Sequence, residues 1–214
     1  MLELLAPAGN LDAVIAAVQN GADAVYMGFG DGFNARRSAD NFTRESFAKA
    51  VRYCHIRGCK VYVTLNTLVG DREMESAAAL AQQASDAGAD AILVQDLGLA
   101  RVLRDALPDI PLHASTQMSL FTLGGANFAA KLGMERVVLA RELSGEEIRE
   151  IAERAPIEIE TFAHGALCMC YSGMCEMSAV IGGRSGNRGA CSQPCRLTYD
   201  LTDGCGRTYL AGKH

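Results

Sequence analysis

At 214 residues with a formal net charge of −5 and no tryptophan, the chain is long enough to bury a core without covalent staples, so its eight cysteines are not required for stability. It lacks the basic excess of a protein that holds nucleic acid by bulk electrostatics. Charges interrupt every apolar run before the ~20 residues of a membrane span, and "MLELLAPAGNLDAV" has no basic-then-apolar leader. The expectation is a soluble cytoplasmic protein with no membrane partner, whose reduced thiols serve metal binding or catalysis.

In chain order, short apolar runs alternate with segments of helical period. The predicted strands are Glu3 to Pro7, Ala24 to Gly28, Lys60 to Asn66, Ala91 to Asp96, Leu112 to Gln117, Arg136 to Arg141 and Glu158 to Ala163. Between the first two, "NLDAVIAAVQNGA" is a helix with Asn10 as its cap and Gly21 at its end. Between the sixth and seventh, "SGEEIREIAERA" pairs Ser144 with Glu147 as a capping box. Nearly all-apolar strands joined by helices imply a parallel sheet covered on its outside. The fold class is therefore α/β, a TIM-barrel-like (β/α) barrel.

A complete eight-stranded barrel needs ~250 residues, and after the seventh strand the chain turns to a cysteine-rich stretch and to "RLTYDLTDGCGRTYL", an alternating pattern around Asp-Gly that reads as a hairpin. Residues 1–163 are thus expected to form an incomplete barrel of seven parallel strands, open between its first and seventh, and residues 164–214 a cysteine-rich region with a hairpin. An open doubly wound sheet is the lesser alternative, since no glycine-rich phosphate loop follows the first strand.

Barrels carry chemistry at the C-terminal ends of their strands. Those ends hold Asn66, Gln95, Asp96, His113, Ser115, Gln117, Arg141, Glu142, Glu160 and His164. We take His113, Gln117, Arg141, Glu160 and His164 as candidate catalytic residues sharing one cavity, and Asn66 with Arg36 as candidate substrate contacts. Arg36 and Arg37 lie in the long loop "GFGDGFNARRSADNFT", which reads equally as a lid, an anion clamp or a surface excursion. Arg184, Arg188 and Arg196 read equally as a solvated loop or a phosphate patch.

Cys54 and Cys59 flank a helix end and read as packing residues. Cys168, Cys175, Cys191 and Cys195 are separated by glycines that allow backbone to wrap a compact object. Four thiolates suit an iron–sulfur cluster, with zinc as runner-up, because both take soft sulfur ligands. They are expected to converge beyond the seventh strand, away from Cys54 and Cys59. Cys170 and Cys205 are surplus, and His164 beside Cys168 leaves a nucleophilic thiol open.

The stretch "ETFAHGALCMCYSGMCEMS" resembles the signature of peptidase family U32, historically the collagenase-like peptidases, and "ELLAPAGN", "GADAVYMG", "FNARRSADNFT", "LNTLV", "LHASTQMS", "LARELS" and "GNRGACSQPCR" extend the resemblance along nearly the whole chain. The resemblance implies a TIM-like barrel with a 4Fe-4S cluster held by Cys168, Cys175 and Cys191, with Cys195 or a later cysteine as fourth ligand. It implies hydroxylation of transfer or ribosomal RNA, or of a quinone, with prephenate as a co-substrate in some members. Similar proteins continue beyond "YLAGKH", which implies a truncated chain. The expectation is an iron–sulfur enzyme acting on an RNA base. The alternatives are a peptidase, for which no HExxH, GxSxG or ordered triad is present, and an inactive barrel acting as a protein partner or homo-oligomer.

Overall fold

The computed structural model describes residues 2–30, 32–35, 41–165 and 167–211. Strands β1 (Leu5–Pro7), β2 (Ala24–Met27), β3 (Lys60–Leu65), β4 (Ala91–Val94), β5 (Leu112–Ala114), β6 (Arg136–Val138) and β7 (Glu158–Glu160) form one sheet in sequential order, every neighbouring pair parallel. Helices α1 (Leu11–Gln19), α2 (Arg44–His55), α3 (Met74–Asp86), α4 (Leu97–Ala106), α5 (Leu123–Lys131) and α6 (Gly145–Arg154) return the chain between strands. Past β7 lie a short helix, α7 (Met177–Gly182), and the hairpin β8 (Asp200–Thr202) and β9 (Thr208–Ala211), paired antiparallel.

Local chemistry sets the helix starts. Asn10 Oδ1 accepts the amide of Ala13 at 2.9 Å, Asp96 Oδ1 that of Leu99 at 2.9 Å, and Ser144 and Glu147 satisfy each other's backbone amides, which removes orphan donors at each N-terminus. Gly21, at φ +89, supplies the left-handed step that ends α1.

The apolar residues divide by strand face, as a period of two requires. Val25, Val61 and Val63 pack under α1 and α2, and Ile92, Leu112 and Val137 pack under the later helices. The opposite faces of the strands turn into the curl, where Ala24, Tyr62, Ala91, Leu93 and Val138 meet.

The expected strands extend too far at their C-terminal ends. The fifth stops at Ala114, because Ser115 caps a 3-10 turn over Thr116–Met118 and Ser119 takes the left-handed conformation at φ 57. The sixth stops at Val138 and the seventh at Glu160, so Gln117, Arg141 and His164 lie in the loops above the sheet. Among the described residues β1 pairs with β2 and β7 with β6, without a ladder between β1 and β7. Side chains cross that gap: Arg136 at the start of β6 donates to Glu3 just before β1 at 2.6 Å.

Candidate functional site

The thiols lie on a segment pinned to the C-terminal mouth of the curl. Gly173, at φ +79, rests so closely on β5's following turn that a Cβ there would stand 2.0 Å from the carbonyl oxygen of Gln117. Ser119 Oγ donates to the Ser172 carbonyl, and the Ser172 amide donates to Glu142 at 3.0 Å. On the far side, the Leu68 amide donates to the Asn187 carbonyl at 3.0 Å, while Arg188 grips the Leu68 carbonyl at 2.7 Å and Glu73 at 2.5 and 2.8 Å. The loops after β3, β5 and β6 therefore fix where the cysteines stand.

Within that frame, the Cys170 thiol is pushed up, first by its neighbour Cys175, then by desolvation, and then by Cys195 and Cys168. Cys191 joins through Gly186, where a Cβ would stand 3.6 Å from Cys191 Cβ and 3.9 Å from the Cys175 carbonyl oxygen. Ser178 Oγ fixes this segment by accepting the Ser192 amide at 3.0 Å. Arg141 Nη1 donates to Cys168 Sγ at 3.5 Å. Cys54 and Cys59 are buried in the helix-covered core, and burial, with Cys59 next, pushes the Cys54 thiol up to about 12, which makes it inert.

The donor set suits a soft metal group, since every candidate ligand is sulfur. A single zinc ion on ~2.3 Å bonds draws its sulfurs into one tight shell. Among the described residues no three His, Cys, Asp or Glu side chains stand in such a shell.

The five candidate catalytic residues do not share one cavity. His113 and Glu160 face into the curl on β5 and β7, toward Arg136. The Arg136 guanidinium donates to Glu3, to Glu158 at 2.6 Å and to Glu160 at 3.4 Å, and Tyr62 donates its hydroxyl to Glu3 at 2.9 Å. Burial opposes the Arg136 charge, but Glu3 and Glu158 outweigh it and raise the pKa. Burial pushes the Glu160 carboxyl up against the pull of Arg136. Burial and then Arg136 drive His113 down to about 3, so its ring is neutral and meets Tyr62 edge-on, centroids 4.9 Å apart. A cavity of about 830 Å³ opens beside Lys60, Tyr62, His113, Arg136 and Glu158. Lys60, Arg136 and Glu158 are the first residues of their strands, so this cavity lies at the N-terminal end, opposite the thiols.

Gln117 and Arg141 sit at the other end, in the loops that carry the thiols, and His164 is exposed there. Asn66 is also at that end, with both ends of its amide engaged: Oδ1 accepts the Ala35 amide at 2.8 Å and Nδ2 donates to Ser115 Oγ at 3.2 Å. It anchors the loop after β2. Arg36 and Arg37 of that loop lie outside the described residues. The three later arginines each bind a main-chain carbonyl, Arg184 that of Ala190 at 3.1 Å, Arg188 that of Leu68 and Arg196 that of Leu167 at 2.8 Å. They staple the thiol segment to itself and to its neighbours.

Sequence reasoning missed Arg136, Glu3 and Tyr62, whose signal was a charged residue opening the apolar run "RVVLAR". It also missed the positioning set Ser119, Ser172 and Glu73, and it set aside Cys170, which stands beside Cys175. Gln95 was noted only as a strand-end polar residue; its Nε2 donates to the Gln117 carbonyl at 3.2 Å, while its buried Oε1 and the buried Ser172 Oγ have no hydrogen-bond partner among the described residues.

The model of peptidase family U32 matches residues 9–212. The chain is 46% identical over 213 residues to the 23S rRNA 5-hydroxycytidine C2501 synthase of Escherichia coli (strain K12), covering 100% of this chain and 32% of that protein. It is 43% identical over 213 residues to tRNA hydroxylation protein P1 of Bacillus subtilis (strain 168), covering 99% and 50%, and 36% identical over 213 residues to a collagenase of Porphyromonas gingivalis (strain ATCC BAA-308 / W83), covering 94% and 50%. It thus spans half or less of the length of these relatives. A solved U32 peptidase structure superposes with a TM-score of 0.64 at 20% identity, covering 75% of this chain and 68% of that one, which shows a shared fold. With a family model that takes in strands β2 to β7, the thiol segment and the hairpin together, the chain belongs to peptidase family U32.

Proposed function

We propose that this protein belongs to an iron–sulfur enzyme that hydroxylates a base of ribosomal or transfer RNA in the cytoplasm. The observation that carries the reading is the cysteine-bearing segment held at the barrel mouth by Gly173, Ser119 and Glu142, in a chain whose relatives at 46% and 43% identity are named for RNA hydroxylation.

Cys168, Cys175, Cys191 and Cys195 would hold a 4Fe-4S cluster, with Cys170 packed against Cys175. A cluster bound there supplies electron-transfer chemistry at a solvent-facing edge. The chain's own residues do the rest. Gly173, Ser119 and Glu142 fix the position of the thiol segment, and Arg141 sets a guanidinium against Cys168. No described helix is long and apolar enough to cross a membrane, which is in keeping with work on RNA in the cytoplasm.

The test is nucleoside mass spectrometry of total RNA from cells lacking the gene and from cells in which it is restored. The reading expects one hydroxylated nucleoside to vanish and return. Unchanged nucleosides, together with gelatin cleavage by the purified protein, would overturn it in favour of a peptidase.

A further inference from the structure

Above the thiols the surface carries aromatic rings that the fold does not bury. The Ala140 amide donates to the Leu120 carbonyl at 2.9 Å, and the Leu139 amide donates to the Glu160 carbonyl at 3.0 Å, so the chain leaving β5, β6 and β7 runs side by side. Phe121, Arg141 and Phe162 follow directly on these contacts, in adjoining loops at the mouth. Arg141 lies over the Phe162 ring, 4.2 Å from its centroid, and its Nη1 reaches Cys168. From the thiol segment, Tyr171 stacks on Phe121 with centroids 6.5 Å apart and planes at 29°. Tyr171 remains 60% exposed and Phe121 44%, too much for rings whose purpose is packing.

We propose that Tyr171, Phe121 and Arg141 form a stacking platform for an unpaired nucleobase of single-stranded RNA, presenting that base beside Cys168. The inference rests on the RNA-hydroxylation reading and adds to it the place where the substrate base sits. Three features favour a base over other occupants. Stacked aromatic planes offer a π-face that any base can extend. A guanidinium plane beside them adds a second flat surface and a positive charge next to the phosphate chain. The net charge of −5 repels RNA at long range, so affinity must come from local contacts of this kind rather than from a basic field. A base reacts only when it leaves its stack, and a protein that supplies a replacement stacking partner offsets the cost of extruding it.

The experiment measures fluorescence anisotropy of a labelled short single-stranded ribo-oligonucleotide with the anaerobically purified protein, beside an abasic strand with the same phosphates. The platform expects Tyr171→Ala and Phe121→Ala each to weaken binding about ten-fold, and Tyr171→Phe, which keeps the ring, to bind within about two-fold of wild type. The abasic strand should bind poorly to all of them. Equal binding of the abasic strand, undiminished binding by Tyr171→Ala, or displacement of the RNA by a collagen-type peptide at equal concentration would overturn the proposal. Cells carrying Tyr171→Ala that make the hydroxylated nucleoside at the wild-type level would overturn the platform and leave the hydroxylation reading standing. Tyr171-dependent RNA binding by a protein whose deletion changes no nucleoside would sustain the platform and overturn that reading.

Discussion

The guanidinium of Arg136 lies 2.6 Å from the carboxylate of Glu3, joining two residues 133 positions apart in the sequence across the gap between β1 and β7. Arg136 has a side chain 10% exposed and also meets Glu158 and Glu160, so its removal leaves several carboxylates facing one another. Arg136→Met should cost about 3 kcal/mol of unfolding free energy, as expected when one partner of a largely buried ion pair is lost. Urea unfolding measures this. A midpoint equal to wild type would show that the network does not hold the open barrel together.

His113 gives the interior a pH dependence of known sign. Its folded-state pKa is driven down by burial and Arg136 to about 3, against an ordinary value of 6.5. Protonation in that window favours the unfolded chain, so the stability contributed by His113 is full above 6.5 and falls as the pH drops toward 3, by up to about 1.4 kcal/mol per unit. Glu3, held below the ordinary carboxylate range by Arg136 and Tyr62 despite its burial, acts in the same direction nearer pH 4. Glu160, raised by burial, acts in the opposite one. His113→Phe keeps a ring edge-on to Tyr62 and should remove the His113 share, so that wild type loses more stability than the variant between about pH 7 and about pH 5. Thermal melts at the two pH values decide this, and a melting temperature that falls as far in the variant as in wild type would contradict it.

Gly173 tests the positioning of the thiol segment. A side chain there needs φ +79 and collides with the Gln117 carbonyl, costing roughly 1–3 kcal/mol of local strain. Gly173→Ala should free the segment, so that alkylation of Cys168 and Cys175 in the metal-free protein quickens several-fold. Gly204→Ala, where a Cβ meets nothing within 4 Å, should leave the rate as it was. Equal rates in the two variants would mean that Gly173 does not set the thiols.

Metal content separates the two groups of cysteines. After anaerobic purification, wild type and Cys54→Ala should carry iron and sulfide and be brown, while Cys175→Ser should be colourless. Stoichiometric zinc without sulfide in wild type would contradict the cluster.

The barrel was legible because its signals are local and repeated: apolar strands, glycine-ended helices, and caps at Asn10 and Ser144 that form as their side chains dictate. Strand ends were less so. "LHASTQ" remains β-like in composition to Gln117, but the Ser115 hydroxyl accepts the Gln117 amide at 3.3 Å and turns the chain early. That turn separates Gln117 from His113, one feeding the thiol loop and the other the interior. The Arg136 network was illegible because its members lie just before β1 and on β3, β6 and β7 and meet only when the sheet curls. The glycine spacing marks the cysteine segment in the sequence, whereas the place of Cys170 depends on the turn at Ser172 and Gly173.

The central claim, that the chemistry of this protein resides in the thiol segment at the barrel mouth, is tested most directly by the hydroxylated-nucleoside content of RNA from cells whose only copy of the gene carries Cys175→Ser or Cys54→Ala. The account predicts that the nucleoside is lost with Cys175→Ser and kept with Cys54→Ala. A wild-type level of the nucleoside with Cys175→Ser would contradict it.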